Sequence, residues 1–98
     1  MINQFGKKIK ELRNVNHLRQ KQVANELGID TALLCKIEKG ERIAKRDTIP
    51  EFARVLNTKS EELKLIWLAD QLYEIVKDEN NPLEAMSIAE KLLGLNTK

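Results

Sequence analysis

The chain has 98 residues, of which 42% are hydrophobic, and a formal net charge of +2. A chain of this length forms about one small domain with a modest core, so a second independent domain is not expected. Its single cysteine, Cys35, and single histidine, His17, can form neither an intrachain disulfide nor a Cys/His metal cluster. We therefore expect a protein of the reducing cytoplasm that binds no metal and no cofactor.

The sequence contains no long apolar segment. The N-terminal stretch MINQFGKKIKEL lacks the apolar core of an export signal, and the longest apolar run covers only residues 65–69. A membrane-spanning helix needs about 20 apolar residues. The sequence therefore predicts no membrane segment and a cytoplasmic location.

Charge is distributed unevenly along the chain. Residues 1–59 hold 13 Lys/Arg against 7 Asp/Glu, whereas residues 60–98 hold 4 against 8. The basic part is suited to contact with a polyanion, and the acidic part to a different role.

Apolar residues recur at helical spacing along the whole chain, which predicts an all-α fold. The first helix carries Ile2, Phe5, Ile9 and Leu12 on one face. It should end near residues 14–16.

Two short helices should follow, separated by one glycine. The second helix begins near Gln20 and ends at Gly28, because glycine tolerates the left-handed conformation of a helix exit. Asp30 is a suitable N-cap for the third helix, which should end at Gly40. With so little chain between them, the two helices should cross at a steep angle.

Three further helices are predicted. The fourth should begin after Asp47, with Pro50 in its first turn. Ser60 is the expected N-cap of the fifth, which is apolar around more of its circumference than one core face requires. Pro82 should open a last helix that Gly94 could end.

The stretch QKQVANELGIDTALLCKIEKGER, residues 20–42, carries the most specific pattern in the chain. Its pattern residues are Gln20, Ala24, Leu27, Gly28, Ile29, Leu34, Ile37, Glu38 and Gly40. In this order they resemble the helix-turn-helix of lambda-repressor-like (Cro/repressor, Xre-type) transcription regulators, and the resemblance covers about residues 5–65. It implies a five-helix DNA-binding domain over residues 1–65, followed by a C-terminal helical extension over residues 66–98.

The resemblance implies that the third helix lies in the major groove of double-stranded DNA, with its first turn nearest the bases. The residues facing base edges would be Thr31, Ala32, Cys35 and Lys36. Lys36 can donate to guanine, and Thr31 can hydrogen-bond. The helix lacks the usual bidentate base-contacting residues Gln, Asn and Arg, so part of the discrimination would come from DNA shape. Cys35 could be a redox switch, but we favour a small thiol that is simply tolerated.

Phosphate contacts are expected around the same helices, where they add affinity without sequence information. The residues that the resemblance assigns to them are Arg19, Gln20, Leu33, Lys39, Arg42, Lys45 and Arg46. Arg19 stands where the family often has Ser or Thr, so the second helix would be less well capped, or Arg19 would itself reach a phosphate. The resemblance also pairs Arg13 with Glu38, which would fix the first helix against the third and turn Arg13 towards a phosphate.

The apolar excess after Leu63 has two interpretations. The last helices could fold back to complete one core, or they could form a homodimer interface. We favour the homodimer, because the helix-turn-helix unit is already complete near Leu63. The interface residues would be Ile66, Trp67, Leu72, Tyr73, Val76 and Met86. A dimer would hold two recognition helices about 34 Å apart on a palindromic operator.

These features predict a dimeric, sequence-specific transcription regulator, either a restriction–modification controller or a phage-type repressor. Residues 38–46 resemble controllers of that kind. Two alternatives stay open: an antitoxin whose C-terminal segment binds a toxin, and a protein-interaction module that does not bind DNA. No Ser/His/Asp or paired-carboxylate arrangement can be placed, so no enzymatic activity is predicted.

Overall fold

The computed structural model describes residues 3–96, and the predicted all-α class is confirmed over that range. The helices are α1 (Gln4–Val15), α2 (Gln20–Leu27), α3 (Thr31–Lys39), α4 (Ile49–Val55), α5 (Ser60–Val76) and α6 (Pro82–Asn96), and a short 3₁₀ turn (Arg46–Thr48) precedes α4. The predicted stripe residue Ile2 lies outside the described residues.

The core lies where α1 to α5 converge. Phe5 and Phe52 meet edge to face, with ring centroids 5.7 Å apart, so α1 and α4 pack directly on each other. The buried apolar side chains are Phe5, Ile9, Val23, Ala24, Leu34, Ile37, Ala44, Ile49, Phe52, Ala53, Leu56 and Leu63. Among the described residues, α6 contributes none of them.

The turn between α2 and α3 has the predicted form. Gly28 has a left-handed backbone with φ of 70°, and the N–H of Ile29 donates to the Ala24 carbonyl at 3.0 Å. Asp30 occupies the N-cap position of α3, but its side chain makes no capping hydrogen bond. The predicted position of Asp30 is therefore confirmed, while its predicted side-chain role is wrong.

Two helix boundaries differ from the prediction. Ser60 is already the first residue of α5, because the chain turns one residue earlier, at an extended Lys59. The last helix continues past Gly94 to Asn96. A glycine inside a helix costs only about 1 kcal/mol relative to alanine, which the neighbouring leucines, good helix formers, can offset.

The start of α1 lies against the end of α3, and Gly6 makes this approach possible. A methyl group on Gly6 would overlap the carbonyl oxygens of Ile37 and Glu38. Asn3 bridges the same two helices: its side-chain nitrogen donates to the Glu38 carbonyl at 3.0 Å, and its side-chain oxygen accepts from the Gly6 N–H at 3.0 Å.

Helix α5 also holds the start of α1. The Asp70 carboxylate accepts the backbone N–H groups of Gln4 at 3.2 Å and Phe5 at 2.8 Å. A carboxylate there also faces the positive end of the helix dipole. The predicted domain boundary at residue 65 falls inside this continuous helix.

Helix α6 lies outside the core and meets the C-terminal half of α5 through its first turns. Pro82, Leu83 and Met86 face Leu72 and Tyr73 there. The exposed apolar side chains of α6 are Leu83, Met86, Ile88, Leu92, Leu93 and Leu95. Over the described residues, no helix has both the length and the apolarity that crossing a membrane requires.

Gly6→Ala should lower the free energy of unfolding by about 1–3 kcal/mol, because the added methyl group forces α1 away from the end of α3. Urea unfolding followed by circular dichroism measures this change. Gly94→Ala is the control, since among the described residues a methyl group there meets nothing within 4 Å beyond the backbone of its own helix and its chain neighbours, and it should leave the midpoint unchanged or raise it. A wild-type midpoint for Gly6→Ala would contradict the close approach.

Candidate nucleic-acid interface

The residues predicted to contact bases share one face of α3. A helix turns by about 100° per residue, so positions 31, 32, 35 and 36 lie on one side. Thr31, Ala32 and Lys36 are exposed and Cys35 is partly exposed, whereas Leu34 on the opposite side is fully buried. The helix therefore presents the predicted set outwards.

A buried ion pair holds the other side of α3. The Nε of Arg13 donates to Oε2 of Glu38 at 2.8 Å, and Nη2 donates to Oε1 at 3.1 Å. The side chains are only 11% and 3% exposed. The side-chain nitrogen of Gln20 also donates to Oε1 of Glu38, at 3.0 Å. This Arg13–Gln20–Glu38 cluster joins α1, α2 and α3.

Arg13 and Gln20 each keep side-chain N–H donors that the cluster does not use. Arg13 also donates from Nη1 to the Leu18 carbonyl at 3.1 Å, so each of its nitrogens is engaged within the protein. Three of the five N–H donors of Arg13 are used within the protein in this way. Gln20 is half-buried and has a second side-chain N–H that the cluster does not use.

Positive side chains lie on the elements that come before and after α3 in the chain, and at its end. Arg19 lies at the start of α2, Lys39 at the end of α3, Arg42 and Lys45 in the following loop, and Arg46 in the 3₁₀ turn. All five are exposed. Within residues 3–96, none of them takes part in an ion pair. Their charges are therefore available to an anionic partner.

Arg19 has no side-chain acceptor with which to cap α2. Its backbone N–H donates instead to Oε1 of Gln22 at 2.7 Å, which is one half of a capping box. The start of α2 is thus stabilised by Gln22, and the Arg19 guanidinium stays at the surface.

Leu33 differs from the other residues predicted to contact phosphate. It is half-buried and packs against the core, as do Leu27 and Ile29. Its side chain lies at the edge of the outward face and offers no polar atom to a phosphate.

A family described as a helix-turn-helix domain matches residues 4–65, from α1 into α5. The chain belongs to the helix-turn-helix domain family. The predicted resemblance to lambda-repressor-like, Xre-type regulators is confirmed, and the protein is a DNA-binding regulator.

Two known proteins are similar to this helix-turn-helix protein. The uncharacterized HTH-type transcriptional regulator YazB of Bacillus subtilis (strain 168) is 34% identical over 59 residues, which are 60% of this chain and 86% of YazB. The crystal structure of the restriction-modification controller protein C.AhdI from Aeromonas hydrophila matches with a TM-score of 0.59 and 30% identity, covering 62% of this chain and 92% of C.AhdI. Helix α6 lies beyond the family match.

Trp67, which was predicted at a dimer interface, instead lies against the loop that follows α3 in the helix-turn-helix part of the protein. Its indole Nε1 donates to the Ala44 carbonyl at 2.9 Å, and Ile66 beside it packs against the core. The sequence spacing already indicated that Trp67 faces the core. Leu63, Ile66, Trp67 and Asp70 stand at positions i, i+3, i+4 and i+7, which share one helix face. The other predicted interface residues lie further along, on α5 (Leu72, Tyr73, Val76) and α6 (Met86).

Arg13→Met should destabilise the fold by about 3 kcal/mol, because it leaves the Glu38 carboxylate buried without its cation. Urea unfolding measures the loss. The matched control is Arg54→Met, which removes an exposed ion pair with Glu51 and should barely move the midpoint. Equal stability of the two variants would show that the Glu38 carboxylate does not depend on Arg13.

Proposed function

We propose that the protein is a sequence-specific transcription regulator that binds a palindromic DNA operator as a homodimer. The observation that carries this proposal is the outward face of α3, together with exposed cations on the neighbouring elements that have no ion-pair partner among residues 3–96. Phosphate groups along both sides of the major groove match that arrangement.

In this proposal, α3 enters the major groove and the cations around it contact the backbone. Lys36 donates to guanine O6 and N7, and the methyl groups of Thr31 and Ala32 can meet a thymine methyl. The phosphate contacts come from Arg19, Gln20, Lys39, Arg42, Lys45 and Arg46. Each neutralised phosphate releases counterions, so affinity should fall steeply with salt.

The likeness to C.AhdI supports a regulator of the restriction–modification controller kind. This likeness covers 62% of the chain, and residues 38–46 lie within the family match. Occupying an operator at or near a promoter would control transcription without a ligand-binding domain.

The apolar surface of α5 and α6 supports a dimer. Ile88, Leu92 and Leu95 follow each other at positions i, i+4 and i+7, and Ile88 and Leu92 are 60% and 57% exposed. Leu72 on α5 is exposed as well, and it lies beside Leu83 and Met86 on the other side of α6. Apolar side chains that are exposed along one helix face are typical of a surface that binds another protein. A two-fold dimer of this kind would match the symmetry of a palindromic operator.

The charge distribution agrees with this arrangement. Residues 60–98 carry 4 basic against 8 acidic residues, so the proposed interface lies in the acidic part of the chain. Dimerisation there would leave the basic surface around α3 of each copy open to DNA.

Selection of bound sequences from a random duplex library tests the function. An enriched inverted repeat is the expected result, because two copies of α3 would contact two half-sites about 34 Å apart. Repeating the selection at two salt concentrations separates specific binding from the general attraction of the basic surface. Recovery of unselected DNA would contradict sequence-specific binding.

Lys36→Ala and Lys39→Ala then distinguish base contacts from phosphate contacts. Lys36→Ala should cost about 1–3 kcal/mol on the selected operator and relax the preference at one base position. Lys39→Ala should weaken binding to all sequences alike and reduce the salt slope by about 1. Filter binding to the operator and to its single-base variants measures both effects. Equal losses of specificity would refute the proposed placement of α3 in the groove.

Leu92→Glu should produce monomers that bind the operator weakly, because it buries a charge in the proposed interface. Leu72→Glu should have the same effect from α5. Light scattering measures the mass of each variant. Ser87→Glu is the matched control, since position 87 is polar and lies about 100° around α6 from Ile88, off the stripe of Ile88, Leu92 and Leu95, so it should leave the dimer intact.

Three results would contradict this interface. Leu92→Glu and Leu72→Glu could both remain dimeric, or Ser87→Glu could dissociate as readily as they do. A wild-type protein that is monomeric alone and co-purifies with a second protein would instead favour the antitoxin alternative.

A further inference from the structure

The loop that follows α3 carries two of the exposed cations on a segment without helical structure. We call residues 40–45 the cationic loop; it contains Arg42 and Lys45. Side chains on an irregular segment bind a ligand more tightly when the backbone that carries them is already held in place, because ordering a loop during binding lowers the affinity.

Hydrogen bonds hold both ends of the cationic loop. At its start, the N–H of Glu41 donates to the Lys36 carbonyl at 2.9 Å. At its end, the N–H and Oγ1 of Thr48 donate to the Lys45 carbonyl at 3.0 and 2.6 Å. These bonds are local and connect the loop to its own neighbours in sequence.

The middle of the cationic loop is held from a distance. Ala44 is its one buried residue among those described, while its neighbour Ile43 is 65% exposed. The Ala44 carbonyl accepts the indole N–H of Trp67 at 2.9 Å. A buried carbonyl needs such a partner, so this bond determines where the middle of the loop lies.

Trp67 is itself firmly placed. It follows the fully buried Leu63 by one helical turn, and it precedes Asp70, whose carboxylate accepts two N–H groups at the start of α1. The backbone of Trp67 is therefore held on both sides along α5, and its partly buried side chain packs against the core. Trp67 also lies beyond residue 65, where the family match ends.

We propose that Trp67 is a positioning residue for DNA binding, which holds the cationic loop so that Arg42 and Lys45 meet phosphates without prior ordering. The inference rests on the proposed function, because it requires the loop cations to contact DNA. Trp67 touches no DNA in this proposal and acts only through the Ala44 carbonyl.

Trp67→Phe removes the N–H while keeping an aromatic ring in the same place. We expect operator affinity to fall about two- to tenfold, the range for loss of one neutral hydrogen bond. The salt slope should move towards that of Arg42→Ala, since a loosely held arginine releases fewer counterions. Urea unfolding of each variant identifies a temperature at which all of them are fully folded without denaturant. Binding is measured at that temperature.

Two double variants test whether Trp67 acts through the loop. Trp67→Phe combined with Arg42→Ala should lose less affinity than the sum of the two single losses, because Arg42 is one of the groups that Trp67 positions. Trp67→Phe combined with Lys39→Ala should be additive, because Lys39 lies on α3 and not in the loop. Additivity in both cycles would overturn the inference.

Trp67→His provides a rescue, since imidazole restores a ring N–H on a smaller and more polar ring. If the donor matters, His should recover part of the affinity lost with Phe. A purely space-filling role predicts the reverse order, and that result would overturn the inference.

The outcomes separate the inference from the proposed function. If the wild type, Lys39→Ala and Arg42→Ala all fail to bind duplex DNA, the proposed function fails and the inference falls with it. If the wild type binds and Arg42→Ala weakens binding, while Trp67→Phe binds as the wild type does, only the inference fails.

Discussion

The position of α3 depends on the carboxylate of Glu38, which is buried at the end of that helix. Arg13 and Gln20 donate to it from α1 and α2, so one side chain fixes the relation of three helices. A buried charge tolerates few other arrangements, because any shift that breaks these bonds leaves a charge without a partner. The outward face of α3 is therefore as well defined as its buried one.

The parts of the fold that sequence could predict are the local ones. Gly28 and Gly40 were predicted as helix ends because glycine tolerates a left-handed backbone, which both residues adopt. The pairing of Arg13 with Glu38 was predicted from a family resemblance. Boundaries at Ser60 and Gly94 were missed, because the competing helix ends differ by only about 1 kcal/mol. Such small differences are decided by the neighbouring turns rather than by one residue.

Long-range contacts could not be predicted in the same way. The bond from Trp67 to Ala44 spans 23 residues, and the bond from Asp70 to Phe5 spans 65. Helical periodicity shows which face of α5 is buried, but not which carbonyl or N–H group a polar atom on that face will meet. The same limit applies to α6, whose apolar face was predicted while its position relative to the core was not.

Helix α5 also has an optical consequence, because it carries the one tryptophan and the one tyrosine of the chain. Trp67 lies against the loop after α3, whereas Tyr73 lies further along, near α6. The indole can be excited at wavelengths that the phenol does not absorb, so the middle of α5 can be observed selectively without any label. The native protein thus carries one intrinsic chromophore at its DNA-binding end and another beside its apolar C-terminal surface.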